Sequence, residues 1–173
     1  MIIIGIDPGI AHLGYGIVKK VHGKKNKLQA IDYGCIITKP DLTDGERLSR
    51  INNELNKLIK KYKPDIMAVE NIYFFKNSKT AMPVSQARGV ILLTAAKKKI
   101  PIYEFTPLQI KMDVCGYGRA EKTQIQKMVK ILLNLKKAPQ SDDAADALAA
   151  AICCANFLKN KIAIQNLGGQ RKT

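Results

Sequence analysis

The sequence predicts an α/β fold in which helices flank a mixed five-stranded sheet, with three antiparallel strands followed by two parallel ones. Residues 1–38 hold three β-branched segments that are separated by turn residues. Two further strand-like segments then alternate with helical patterns, which is typical of parallel crossover units. The length of 173 residues suits one domain with a buried sheet. We expect that domain over residues 1–159 and a mobile basic tail over residues 160–173, whose end GGQRKT lacks an apolar period.

The predicted order of elements is β-β-β-α-β-α-β-α-α. MIIIGID is a strand that ends at Asp-Pro-Gly, and GYGIVKK and LQAIDYGCIIT are two more, joined by the polar hairpin KKVHGKKNK. A helix begins at the capping-box spacing of TDGE and stops before Pro64. DIMAVE and IPIYEF are the last strands, separated by a helix from about Lys79 to Lys98. A helix from about Glu121 to Leu135 and the alanine-rich helix within Ala138–Ile152 complete the body.

The charge of the chain indicates a polyanionic partner. Lys and Arg number 29 against 14 acidic residues, which gives a net charge of +15. No apolar run reaches a membrane-spanning length, and no basic amphipathic anchor stands apart, so nucleic acid is favoured over a membrane surface. The four cysteines form no CxxC pair and are interpreted as reduced core thiols. Since the N-terminus has no leader pattern, we expect a cytoplasmic protein.

Four carboxylates stand where an unpaired charge is unfavourable. Asp7 and Glu70 close strands of otherwise apolar composition, and Asp143 and Asp146 lie three apart on one face of the alanine-rich helix. If the four converge, they offer hard oxygen ligands with no histidine near them in sequence, which suits Mg²⁺ or Mn²⁺ and disfavours zinc. Simpler interpretations remain open, because Asp7 can form an Asx turn before Pro-Gly. For Asp142, at the helix start, we favour the capping and helix-dipole interpretation.

Two metal ions held about 4 Å apart by such a site would activate a water molecule and stabilise the leaving oxygen in hydrolysis of a phosphodiester. This chemistry needs no covalent nucleophile. The sequence contains only two histidines, His12 and His22, which makes a Ser-His-Asp arrangement improbable.

The motifs GIDPG, AVEN, QARGV, QIKMDVCGYGRAEKTQIQKMV and DAADALAAAI occur in order. Together they resemble the RuvC family of bacterial Holliday-junction resolvases, from Ile4 to about Ala155. The resemblance implies a ribonuclease-H-like fold, a homodimer and dependence on divalent metal, with two Mg²⁺ expected per active site and Mn²⁺ as a substitute. It implies paired symmetric nicks in four-way junction DNA during homologous recombination and DNA repair, in cooperation with the branch-migration proteins RuvA and RuvB.

Residue by residue, the resemblance puts the family's four acids on Asp7, Glu70, Asp143 and Asp146, as catalytic residues and metal ligands. It also implies five DNA-binding residues, namely Tyr73, Phe74, Lys76, Lys111 and Lys122. From the residues alone, the aromatic pair could stack on unpaired bases, as aromatics do in single-strand binding, or could pack in the core. Lys122 could equally be an exposed first-turn lysine.

Two other functions compete with a nuclease. GIDPGIAHLGYGIV also resembles the first phosphate loop of actin-like sugar kinases, which would make the chain a phosphotransferase, although such proteins need a second loop in a second domain. A non-catalytic junction-binding protein would explain the charge and the aromatics but would leave the four carboxylates unexplained.

Overall fold

The computed structural model describes residues 1–21, 27–71 and 78–169. Within those ranges the strands are β1 (Ile2–Asp7), β2 (His12–Lys20), β3 (Leu28–Ile37), β4 (Ile66–Glu70) and β5 (Ile102–Phe105). The helices are α1 (Asp44–Tyr62), α2 (Ser78–Lys97), α3 (Pro107–Cys115), α4 (Lys122–Leu132) and α5 (Asp142–Gly169).

The strands form one mixed sheet in the order β3-β2-β1-β4-β5. β2 pairs antiparallel with both β1 and β3, whereas β4 pairs parallel with both β1 and β5. Each parallel strand follows a helix, α1 before β4 and α2 before β5, which is how parallel neighbours are usually connected. The predicted sheet, three antiparallel strands and then two parallel ones, is confirmed.

One helix was missing from the predicted order. The sequence predicts no helix between β5 and Glu121, but α3 lies there. Thr106 caps it, accepting a hydrogen bond from the backbone N–H of Gln109 at 3.1 Å, and the Gln109 side chain accepts from the backbone N–H of Thr106 at 2.8 Å. Pro107 occupies the first turn, where a missing N–H does no harm, so the proline starts a helix there.

The last helix is longer than the alanine-rich segment alone indicates. α5 continues without a break to Gly169, past the boundary that the sequence predicts at Lys159. The division into a domain over residues 1–159 and a mobile tail over residues 160–173 stays a prediction.

Each face of the sheet is covered by a separate apolar cluster. On one face, strand residues such as Ile3, Val18 and Ala68 pack against α3, α4 and α5. On the other, Ile4, Leu13, Ile17 and Met67 are among the strand residues that pack against α1 and α2. Because side chains alternate along a strand, residues two apart on β1 belong to the same face.

The cysteines only partly match the prediction of core thiols. All four are free thiols, but only Cys153 and Cys154, in α5, are buried, whereas Cys35 and Cys115 are half-buried. Among the helices in the described ranges, none combines the length and the apolar character that crossing a bilayer requires.

Candidate active site

The sheet geometry places Asp7 and Glu70 on the face that α5 covers. Ile3 packs in the cluster beneath α5, and strand alternation puts Asp7, four residues on, on the same side. Ala68, which pairs with Gly5 of β1, also packs there, so Glu70 projects to this side as well. Since β1 and β4 are parallel neighbours, both acids stand at the carboxyl ends of their strands, at one edge of the sheet.

Glycines let α5 lie directly on the backbone of β1 and β2. A Cβ at Gly5 would overlap the carbonyl oxygen of Ala147, and one at Gly14 would overlap that of Asp143. Gly14 is the register partner of Asp7. The first turn of α5 therefore rests beside the strand end that carries Asp7. Because Asp146 follows Asp143 by three residues, both helix acids face the strand acids.

The four carboxylates act on one another electrostatically. Burial raises the pKa of Asp7 well above its usual range, and the negative charges of Glu70, Asp146 and Asp143 raise it further. Burial followed by repulsion from Asp146 raises the pKa of Glu70 to about 7. The pKa of Asp146 is raised to about 6, again first by burial. The four acids thus form a half-buried cluster of like charge, and their assignment as metal ligands stays a prediction.

Two lysines, Lys111 and Lys122, act electrostatically on this cluster, and their role in DNA binding stays a prediction. The pKa values of Asp7 and Asp146 remain raised overall, but the positive charge of Lys122, the first residue of α4, offsets part of each rise. In the same way, Lys111 of α3 offsets part of the rise in the pKa of Glu70 and of Asp146. Both ammonium groups therefore lie near enough to the carboxylates to offset part of their mutual repulsion.

Cys35 and Ser141 are neighbours of Asp143 that the sequence analysis did not identify. Cys35 is the register partner of Gly14, so Asp7, Gly14 and Cys35 stand side by side on β1, β2 and β3. Its Sγ lies 2.9 Å from Ser141 Oγ and 3.8 Å from Asp143 Oδ2. The thiol and hydroxyl flank the side of Asp143 that faces β3.

Asp142 also differs from the sequence interpretation. Its carboxylate accepts hydrogen bonds from Lys122 Nζ at 3.0 Å and from Gln126 Nε2 at 2.8 Å, both on α4. Its side chain is thus engaged with a neighbouring helix, beyond the first-turn capping role that we favoured. Gln126 was missed, and the pattern that could have indicated it is its spacing of four from Lys122, which puts both on one helix face.

Three of the expected DNA-binding residues, Tyr73, Phe74 and Lys76, lie outside the described residues. In the ranges that the structure does describe, no three His, Cys, Asp or Glu side chains lie close enough together to hold one metal ion. The four acids are coupled through charge, but their side chains do not converge on a single point. Their all-oxygen composition is nonetheless the donor set that hard divalent cations prefer.

Comparison with known proteins identifies the family. The family model for crossover junction endodeoxyribonuclease RuvC matches residues 3–154. The chain is 54% identical over 160 residues to the protein of that name from Petrotoga mobilis, covering 92% of this chain and 96% of the relative. It is 56% identical over 156 residues to the one from Alkaliphilus metalliredigens, covering 90% and 93%.

Solved structures give the same result. The chain resembles Thermus thermophilus RuvC in complex with Holliday junction substrate, with 34% identity, a TM-score of 0.86 and coverage of 93% of this chain and 96% of that one. The yeast mitochondrial Holliday junction resolvase Ydc2 has a TM-score of 0.70 but only 13% identity, covering 97% of this chain and 85% of that one, so it shares the fold. On these matches, the chain belongs to the RuvC family of crossover junction endodeoxyribonucleases.

Proposed function

We propose that this protein is a metal-dependent, structure-selective endonuclease that resolves Holliday junctions by paired symmetric nicks in homologous recombination and DNA repair. The observation that carries the proposal is the cluster of Asp7, Glu70, Asp143 and Asp146 at one edge of the sheet, with Lys111 and Lys122 beside it. A half-buried group of four acids is unfavourable without a cation, and a catalytic requirement for a cation would explain why the fold brings these acids together.

The four carboxylates would hold divalent metal, and we propose Mg²⁺ with two ions per site and Mn²⁺ as a substitute. When bound, such ions supply a nucleophilic water and stabilise the leaving oxygen of the phosphodiester. Asp7 and Glu70 are fixed by the sheet, whereas Asp143 and Asp146 reach the site from α5. The raised pKa values of Asp7, Glu70 and Asp146 mean that cation binding competes with protons at these groups.

The lysines and the segment after Glu70 would hold the DNA. Lys111 and Lys122 bring positive charge to the rim of the acid cluster, where a phosphate would otherwise be repelled. Tyr73, Phe74 and Lys76 lie three to six residues after Glu70 in the sequence, and we propose that they contact the crossover. The net charge of +15 supplies the remaining, sequence-independent attraction to the backbone.

A homodimer follows from the reaction. One chain carries one acid cluster, and two symmetric nicks need two clusters related by a two-fold axis, which an isologous dimer provides. RuvA and RuvB, as proteins that move the junction, are the partners we propose, and the cytoplasm is the compartment we propose for all of them.

The first test is cleavage of a synthetic four-way junction by the wild type and by Asp7→Ala, with Mg²⁺ or Mn²⁺ and with linear duplex alongside. We expect metal-dependent symmetric nicks from the wild type and none above background from Asp7→Ala. Junction binding measured in EDTA should stay largely intact, because the basic surface carries most of the affinity. Asp41→Ala, which removes an exposed acid outside the site, is the matched control and should cleave like the wild type.

Each contrary outcome points to another function. Cleavage retained by Asp7→Ala would count decisively against the carboxylate site. Tight junction binding with no cleavage in either metal would leave a binding protein, and ATP hydrolysis without DNA cleavage would favour the phosphotransferase.

A further inference from the structure

Asp142, in the first turn of α5, is bonded to two successive turns of α4. Its Oδ2 accepts from Lys122 Nζ at 3.0 Å, and its Oδ1 accepts from Gln126 Nε2 at 2.8 Å. Lys122 and Gln126 are one turn apart on α4, so both oxygens of one carboxylate are held by one face of that helix. Asp142 directly precedes Asp143 on α5.

Among the residues that the structure describes, Asp142 is the side chain that holds Lys122 by a hydrogen bond. The Lys122 side chain is 70% exposed, and a lysine side chain has several rotatable bonds that solvent leaves free. Its charge also acts on Asp7 and Asp146, so the ammonium group that contacts Asp142 lies within electrostatic range of the acid cluster. A contact at 3.0 Å, with the carboxylate itself fixed by Gln126, restricts the positions that this ammonium occupies.

For binding alone, Asp142 is unfavourable. A carboxylate at the rim of a DNA site repels phosphate, and it neutralises part of the lysine charge that would attract it. An acid in this position is therefore expected to weaken the association of junction DNA. Its compensating benefit must arise elsewhere, either in the stability of the fold or at the chemical step.

We propose that Asp142, held by Gln126, is a positioning residue that fixes the Lys122 ammonium beside the acid cluster. There the ammonium group contacts a phosphate oxygen of the DNA strand that is cut. This inference rests on the proposed nuclease function. The contacts of Asp142 orient the charged Lys122 before the reaction. Such orientation raises the cleavage rate of the enzyme–DNA complex and does not raise the affinity for DNA.

The competing explanation is that Asp142 only stabilises α5. An acid in the first turn of a helix interacts favourably with the helix dipole. In that case Asp142 would affect the melting temperature and leave the cleavage rate of the folded, DNA-bound enzyme unchanged. The two explanations therefore differ in a measurable quantity.

The test measures junction affinity without divalent metal and, separately, the single-turnover cleavage rate at saturating enzyme. Asp142→Asn keeps the shape of the side chain and loses its charge. We expect it to bind the junction about two- to fivefold more tightly, since a repulsive charge is gone, and to cleave about tenfold more slowly, since Lys122 is no longer held. Gln126→Ala changes no charge, so its affinity should match the wild type while its rate falls.

Two controls separate position from charge and fold. Asp113 of α3 also accepts a hydrogen bond from an amide on α5, from Asn156 Nδ2 at 2.8 Å, so Asp113→Asn makes the same chemical change away from the acid cluster. Its cleavage rate should stay at the wild-type value. In a Lys122→Ala background, Asp142→Asn should have no further effect on the rate, because the residue that it positions is absent.

The outcomes are distinct. If the wild type cleaves the junction and both Asp142→Asn and Gln126→Ala cleave it at the wild-type rate, the inference is overturned and the nuclease function stands. A rate loss in Asp142→Asn that persists in the Lys122→Ala background also overturns it, because the effect then does not act through Lys122. No junction cleavage by the wild type overturns the proposed function and this inference together.

Discussion

The two faces of the sheet are covered in opposite ways. On the α1 and α2 face, large side chains such as Ile4, Ile6 and Met67 interdigitate with Ile51 and Leu55. On the α5 face, the contact beneath the helix is made by glycines of β1 and β2 and by alanines of α5. The first interface is filled by large side chains, whereas in the second the backbone of α5 lies close to the backbones of β1 and β2.

The difference explains why the acids lie where they do. A helix that packs through large side chains stands off from the strands, commonly at a distance close to 10 Å between axes or layers. α5 comes closer, so the short side chains of Asp143 and Asp146 reach the strand ends that carry Asp7 and Glu70. The small-residue face thus brings four carboxylates together, and the large-residue face supplies apolar burial that offsets their unfavourable charge.

The largest effect on cleavage is expected when one carbon atom is added to the close interface between α5 and the strands. Gly14→Ala places a Cβ against the backbone of Asp143, and α5 must shift because backbone cannot move aside as a flexible side chain does. We expect cleavage to fall by about a hundredfold or more, since a displacement of about 1 Å has that effect on catalytic groups. We also expect a loss of stability of about 1 to 3 kcal/mol, measured by urea unfolding.

Two controls show whether the loss comes from position. Gly45→Ala on α1 makes the same substitution in open space and should leave the cleavage rate unchanged. Leu55→Ala on the large-residue face should destabilise the fold by about 2 to 5 kcal/mol, yet the folded fraction should cleave normally. Normal cleavage by Gly14→Ala would contradict the idea that close approach of α5 builds the site.

The comparison also shows what could and could not be predicted from the sequence. The succession of elements other than α3 was predictable from the sequence. The four acids could be singled out there as well, because Asp7 and Glu70 interrupt apolar strands and Asp143 and Asp146 share a helix face. α3 was missed because Pro107 was not recognised as a helix start, and because both Ile110 and Val114 on its buried side and Leu108 and Met112 on its exposed side are apolar. The spacing of Lys122 and Gln126 puts both on one face of α4, but the contact of Asp142 with that face depends on how α4 packs against α5, which no local pattern contains.

A second prediction concerns the charge on the α5 face. The pKa of Glu70 is raised from 4.5 to about 7, so between these pH values the folded protein binds more protons than the unfolded chain. By linkage, the free energy of unfolding of the metal-free protein falls as the pH rises through this window. Glu70→Gln removes the penalty and should be more stable than the wild type at pH 8 by about 1 to 2 kcal/mol, a figure discounted for the partial exposure of the group.

The measurement is urea unfolding in EDTA across this pH range. The advantage of Glu70→Gln should disappear near pH 4.5, where the wild-type carboxyl is largely protonated in the folded state. Adding Mg²⁺ at pH 8 should stabilise the wild type more than Glu70→Gln, because the cation relieves the same repulsion. The control is the same change on α1, at the half-buried Glu54, which is ion-paired with Lys57 and lies outside the acid cluster. An advantage of Glu70→Gln that is independent of pH would mean that packing, and not charge, is responsible.

The smallest expected effect compares two helix caps of the same kind, one on each side of the sheet. Thr43 caps α1, and Thr106 caps α3, each within a complete capping box. Replacing either threonine by alanine should lower the free energy of unfolding by about 1 kcal/mol, because one backbone N–H of the first turn loses its acceptor. The stability losses in urea should therefore be similar.

Cleavage should distinguish the two caps. α3 begins directly after β5, whose last residue Phe105 is the register partner of Glu70, and it carries Lys111 one turn later. Fraying of that first turn loosens the lysine whose charge acts on Glu70 and Asp146, so Thr106→Ala should cleave several-fold more slowly at saturating enzyme. Thr43→Ala should keep the wild-type rate, because α1 packs only on the large-residue face. Equal rates in the two variants would mean that the acid cluster does not depend on the ordering of α3. If Thr106→Ala cleaves more slowly and Thr43→Ala does not, then cleavage depends on the ordering of α3 as well as on the position of α5.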